Sequence, residues 1–273
     1  LTQVLMNGVD LLIANIAISA MDMSLLSYSK VIPLQLTNLM MTISNTFSPH
    51  LTLTYAKDDK DTFVREMNTT TKICGFFCSI PALGMIAFGR PFYRLWLPTL
   101  AESQITMIQI LSIMAMIPIV FHAYLYPLCM VNTITCKIRV PGIFSLIIGV
   151  LNVAGVVVLL NTTTLGIYGI KLVSTVLLIV KTALFTPIYA ARNISVKWYT
   201  FLKILIPGGI SSAIILALYY AMVYVIDINS WIKFIACIAV AGITGYVINF
   251  FILLSNRERE MILDKVHSVL KNK

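Results

Sequence analysis

LGIYGIKLVSTVLLIVKTALFTPIYAA, residues 165–191, is an almost unbroken apolar run. A helix needs about 20 apolar residues to cross the hydrocarbon core of a bilayer, and this stretch has enough. It also carries Lys171 and Lys181 inside the run. A lysine at the centre of a membrane helix costs roughly 2.5–3.5 kcal/mol on insertion scales. The segment therefore indicates the fold class and poses a functional question: what do two cations do inside one span?

The rest of the chain follows the same pattern. Of its 273 residues 59% are hydrophobic and 11% charged, with a mean hydropathy of +0.90. A soluble domain carries about 25% charged residues. The alternating segments of roughly ten residues that mark a membrane barrel are absent. The expected fold class is an all-α polytopic membrane protein with about eight transmembrane helices. The spans are read at 3–21, 31–55, 73–97, 105–131, 142–161, 165–190, 203–226 and 231–254, with ends uncertain by about 2–4 residues. The second is the least apolar, being rich in Thr, Ser and Asn.

Basic residues orient these spans. With the start of the first helix in the cytoplasm, the inner connectors are 56–72, 132–141 and 191–202, followed by the tail after 254. Fourteen of the 20 basic residues fall on or beside that side, against Lys30, Arg90, Arg94 and Lys233 on the other. The positive-inside rule selects this arrangement and places both ends of the chain in the cytoplasm. The formal net charge of +9 then belongs to the inner membrane face and says little about nucleic acid. Residue 1 is Leu, with no basic segment before the first apolar run, so the sequence reads as beginning within a longer protein and not with a signal peptide. In the tail, Ile262, Val266, Val269 and Leu270 fall on one helical face, as in a basic amphipathic helix resting on an anionic leaflet or a plain solvated tail. Phe63 and Met67, four apart among charges, suggest a short surface helix in the 57–72 loop.

No enzyme chemistry is legible. The five cysteines lack a zinc-ligand pattern and are expected to pack as small hydrophobes. There is no phosphate-binding loop or dinucleotide fingerprint, and His50, His122 and His267 are scattered. No cofactor or metal is expected. The functional signal lies in polar residues inside the spans. Asp10 sits near the middle of the first. Lys171 and Lys181 lie about 15 Å apart along a helix and about 80° apart in projection, so they can line one wide groove. One reading is a cationic, water-filled cavity that receives an anion, with Arg90 and Arg94 in GRPFYRLWLP at its outer mouth. Others are snorkelling of Lys171, pairing of a lysine with Asp10, and interfacial anchoring of the two arginines beside Tyr93 and Trp96. Pro33, Pro49, Pro81, Pro118, Pro127, Pro187 and Pro207-Gly208-Gly209 interrupt the spans, as transporters tolerate.

The order of these features resembles the second lobe of bacterial polysaccharide (O-antigen-type) flippases, within the multidrug/oligosaccharidyl-lipid/polysaccharide exporter superfamily. Asp10-Leu11-Leu12, an outer turn at Ser27-Tyr28-Ser29, Pro49 and Tyr55-Ala56-Lys57 carry the likeness, together with Asn152, Gly166 and Gly169. The resemblance implies helices seven to fourteen of fourteen: a six-helix lobe at 1–192, a terminal helix pair at 193–256 and a cytoplasmic amphipathic tail at 257–273. It implies flipping of a polyprenyl-diphosphate-linked oligosaccharide across the bacterial inner membrane for cell-surface polysaccharide synthesis. The lysines then line the path and Asp10 is their counter-ion or a coupling site. The implied partners are the lipid-linked oligosaccharide, membrane lipids, an N-terminal lobe of the same protein and a polysaccharide polymerase or ligase. The rival readings are a drug or metabolite cation antiporter of the same superfamily, and a membrane-embedded polysaccharide polymerase or glycosyltransferase.

Overall fold

The computed structural model describes residues 19–255 and 258–260. The protein is an all-α, multi-pass membrane protein, and no strand occurs among the described residues. The helices are α1 (Ala20–Ala56), α2 (Lys60–Trp96), α3 (Glu102–Leu125), α4 (Cys129–Ile134), α5 (Arg139–Thr162), α6 (Ile167–Ile179), α7 (Thr186–Asn193), α8 (Leu205–Val225) and α9 (Trp231–Ile252). Short 3₁₀ turns, Tyr126–Leu128 and Leu202–Ile204, precede α4 and α8, and a π-helical turn, Val180–Phe185, joins α6 to α7. Among the described residues six segments are long and apolar enough to cross a membrane: Lys60–Trp96, Glu102–Ile134, Arg139–Thr162, Ile167–Asn193, Leu202–Val225 and Trp231–Ile252. α1 has the length but a more polar composition. The expected first span, 3–21, lies almost wholly outside the described residues, as do Asp10 and most of the 257–273 tail.

Two expected loops are helix. The turn read at Ser27-Tyr28-Ser29 lies inside α1, which begins seven residues earlier, at Ala20, behind the N-cap Ser19. The hydroxyls there need no turn. Ser27 Oγ donates to the Met23 carbonyl (2.8 Å) and Ser29 Oγ to that of Leu26 (2.7 Å), satisfying both within the helix. The expected 56–72 loop shrinks to residues 57–59, after which α2 starts behind the N-cap Asp59. Phe63 and Met67, 1% and 0% exposed, are core residues and not the apolar side of a surface helix.

α2 is the hub. α1 and α3 pack on one side of it and α8 and α9 on the other; α6 packs on α3, and α5 on α6. Two prolines help to build this arrangement. Each lacks the N–H that would bond the carbonyl four residues back. Pro118 frees the Met114 carbonyl, which accepts Thr175 Oγ1 from α6 at 2.9 Å. Pro81 frees the Phe77 carbonyl, which accepts the Tyr246 hydroxyl from α9 at 3.4 Å. In an apolar interior these freed groups must find partners, so the breaks serve as docking points. Asn249, fully buried, reinforces the second of them. Its amide donates to the Phe76 carbonyl (3.2 Å) and Ser79 Oγ (3.0 Å), and its oxygen accepts Ser211 Oγ (2.6 Å).

Close approach is the other device. Tyr124 of α3 is wedged between Gly75 of α2 and Gly208 of α8. A Cβ at either glycine would lie 2.2 Å or 2.9 Å from the ring. The Tyr124 hydroxyl donates to the Gly208 carbonyl (3.3 Å) and shares a 3.1 Å hydrogen bond with Ser212 Oγ. Gly208 therefore admits a tyrosine and does not break a span.

The basic connectors converge on one end. Lys60 Nζ donates to the Ser195 carbonyl (2.6 Å) and Lys137 Nζ to that of Asn193 (3.0 Å). Lys72 pairs with Glu258 at 2.8 Å, tying the segment after α9 to α2. At this end, Asp58, Cys136 and Ser195 adopt positive φ, 57°, 56° and 55°. Each follows a helix C-terminus. The Lys137 N–H reaches the Asn132 carbonyl and the Cys136 N–H that of Thr133, which is the Schellman closure that favours glycine. Cys136→Gly is expected to raise stability by about 1 kcal/mol by removing the left-handed penalty of a Cβ. Unfolding titration in mixed micelles measures it. Cys74, Cys78 and Cys237 are buried as expected, whereas Cys129 and Cys136 are exposed.

Candidate functional site: a cation in a widened helix turn

Lys181 owes its position to Pro187. The proline withdraws the N–H that would bond the Ala183 carbonyl, and the helix widens over Val180–Phe185. The Thr186 N–H and Oγ1 (2.9 Å) both reach back five residues to the Lys181 carbonyl. Phe185 pins the turn from its other side, stacked at 3.8 Å on Phe144 of α5 and at 5.4 Å on Tyr189. The Lys181 side chain is half-buried, and its π turn packs against α3, the helix that carries His122. His122, Tyr126 and Cys129 follow each other at helical spacings of four and three and lie on one face. The His122 and Tyr126 rings are 5.0 Å apart, and Cys129 is exposed.

α1 packs directly on the 126–134 segment that carries Tyr126 and Cys129. Its buried side holds Leu36, Met40, Ser44 and Leu51. Its opposite side exposes Gln35, Asn38, Thr42, Asn45 and Thr46, again at spacings of three and four. A helix of membrane length does not turn amides and hydroxyls to hydrocarbon; such a face lines water or protein. The Thr, Ser and Asn content that made this span look weak is the sequence signal of that stripe.

The other candidates lie elsewhere. Lys171, one helix segment before the π turn, is buried at 8% exposure and engaged within the bundle, so the two lysines differ in access. Arg90 and Arg94 sit at the end opposite the basic connectors. Arg94 grips Glu102 with two nitrogens, Nε and Nη2, each at 2.7 Å, and Arg90 Nη2 lies 3.3 Å from the same carboxylate. All three are half exposed beside the Tyr28, Phe92, Tyr93, Trp96 and Trp231 rings. The structure thus gathers the arginines around a carboxylate and an aromatic rim, and not with Lys181. Asp10 lies outside the described residues. His122, Tyr126 and Cys129 escaped the sequence reading. Their spacing was visible, but nothing in the sequence put the π turn of Lys181 against the helix that carries His122.

Electrostatics reinforce the geometry. From residue 103 to residue 226 the chain contains no Asp or Glu, while Lys137, Arg139, Lys171, Lys181, Arg192, Lys197 and Lys203 all fall there. Among the described residues no carboxylate forms an ion pair with Lys181, and in low-dielectric surroundings such a cation attracts anions strongly.

No family model matches this chain. It is similar to a curated protein of Bacillus subtilis (strain 168) described as "Uncharacterized membrane protein EpsK", 30% identical over 260 residues, which is 94% of this chain and 50% of that protein. The chain spans about half the length of the curated relative it matches.

Proposed function

We propose that this chain is one lobe, with a terminal helix pair, of a non-enzymatic exporter. The exporter carries a polyprenyl-diphosphate-linked oligosaccharide from the inner to the outer leaflet of a bacterial cytoplasmic membrane, for cell-surface polysaccharide synthesis. The observation that carries this reading is Lys181: a half-buried cation in a π turn of a membrane-length segment, packed against α3, which carries His122, in a stretch of chain without carboxylates. A diphosphate supplies the charge that such a place lacks, and the polar stripe of α1 offers hydrogen bonds to sugar hydroxyls. The resemblance to polysaccharide flippases, and the likeness of the chain to half of a longer membrane protein, support a second lobe facing this one. On this reading both chain ends are cytoplasmic, and a polymerase or ligase consumes the flipped lipid.

The carboxylate-free stretch and the connector lengths favour the rival readings less. A cation antiporter needs carboxylates in its cavity, and none is present between 103 and 226. A polymerase needs an outer domain or a cluster of carboxylates, and the connectors at the end opposite the basic ones are short. The test is reconstitution of the complete protein in proteoliposomes, offered a fluorescent lipid-linked oligosaccharide and a cationic dye. Movement of the glycolipid is expected. Movement of the dye alone would make the protein a drug exporter.

A further inference from the structure

The connector between α7 and α8 presents a cationic and aromatic surface that takes no part in the site above. Its inner side is fixed. Ile194, Phe201 and Ile204 are buried in one cluster with Leu51, Phe63 and Met67. Two successive turns, Thr200 N–H to the Lys197 carbonyl (2.9 Å) and Leu202 N–H to that of Tyr199 (3.1 Å), set the backbone between these anchors. That leaves Lys197, Trp198, Tyr199 and Lys203 exposed. Trp198 is 60% exposed, and Lys197 Nζ and Lys203 Nζ lie over the same Tyr199 ring, 6.0 Å and 5.3 Å from its centre. Two ammonium groups are thus held beside one ring, with no carboxylate in the connector or in either helix that it joins. Arg192 and, on the neighbouring connector, Arg139 add charge at the same end.

We infer that this surface binds the headgroup of an anionic phospholipid in the leaflet at the basic end. The position selects a lipid, because the connector joins two membrane-crossing segments, Ile167–Asn193 and Leu202–Val225, so Trp198 and Tyr199 stand at the interface where such rings settle. The charge selects a net negative headgroup. A zwitterionic lipid brings an ammonium or choline group that would need a carboxylate, and the connector itself, residues 194–204, supplies none; Asp58 and Asp59 line a small pocket with Asn193, Ile194 and Ser195 at its start, where Lys60 is bonded to the Ser195 carbonyl. Lys197 and Lys203 take the phosphate, Tyr199 spaces them, and Trp198 packs on the glycerol and upper acyl chain.

Site-specific photo-crosslinking tests this. A benzoylphenylalanine replaces Trp198 in the complete protein, which is reconstituted in nanodiscs of equimolar phosphatidylglycerol and phosphatidylcholine, and the lipid adducts are weighed. The phosphatidylglycerol adduct is expected to exceed the phosphatidylcholine adduct by roughly five- to thirtyfold, the range that one or two surface lysines supply. Lys197→Gln with Lys203→Gln is expected to bring the ratio to about one, with the protein still eluting as a single species. Equal adducts in the parent protein, or a preference that survives the double substitution, would overturn the proposal. So would loss of the preference on adding millimolar inorganic pyrophosphate, which would assign the surface to a soluble anion.

Discussion

Lys181→Gln is expected to slow glycolipid translocation about tenfold or more, a barrier increase of roughly 1.4 kcal/mol, while membrane-inserted protein stays at its usual level. The reason is position. Lys181 stands in a turn already widened by Pro187 and held by Phe185 and Thr186, so the helix does not depend on its charge. Lys181→Arg is expected to keep most of the rate, since it keeps the cation. Lys171→Gln should behave differently. Lys171 is buried and engaged inside the bundle, so its loss is expected to lower inserted protein first. Parallel measurements of initial translocation rate and of folded protein per vesicle separate the two. Equal losses of rate and inserted protein in Lys181→Gln would assign Lys181 to folding and remove the main support for an anion-receiving cavity.

Gly75→Ala is expected to destabilise the protein by about 3 kcal/mol, at the upper end of overpacking costs. The new methyl would lie 2.2 Å from the Tyr124 ring, which cannot swing away because Gly208 and Ser212 hold its far side. The strain falls on the junction of α2, α3 and α8, so the docking of the terminal pair is expected to loosen first. Tyr124→Ala should also destabilise, by leaving a cavity, yet the double substitution should cost well under the sum of the two, because the added methyl enters space the ring has vacated. Unfolding titrations of the four proteins in mixed micelles give this cycle. A Gly75→Ala change within about 0.5 kcal/mol of the parent would show that the helices separate without cost there.

Legibility in the sequence varied with range. The spans after residue 73 stood out because bilayer thickness imposes a length and composition on each one separately. The basic connectors were equally plain, and Lys60 and Lys137, bonded to the Asn193–Ser195 turn, do share one end. Errors arose where a local signal had two physical outcomes. The resemblance put an outer turn at Ser27-Tyr28-Ser29, but the serine hydroxyls bond back along a helix. Phe63 and Met67 among charges suggested a short surface helix in a loop, but they are buried on a helix that continues into the next span.

For the site, the sequence by itself determined that a lysine stands deep in a membrane helix six residues before a proline, and that no carboxylate lies within a long stretch around it. Both are properties of a single stretch of chain. Only the tertiary structure decided that the π turn of Lys181 packs on α3 and leaves that lysine half-buried while Lys171 is enclosed, and that Arg90 and Arg94 close on Glu102 instead of joining them. These outcomes depend on which helices become neighbours. That choice was made by contacts between distant residues, such as Tyr124 between Gly75 and Gly208, Thr175 on the carbonyl freed by Pro118, and Asn249 bridging to Ser79, whose partners no local pattern identifies.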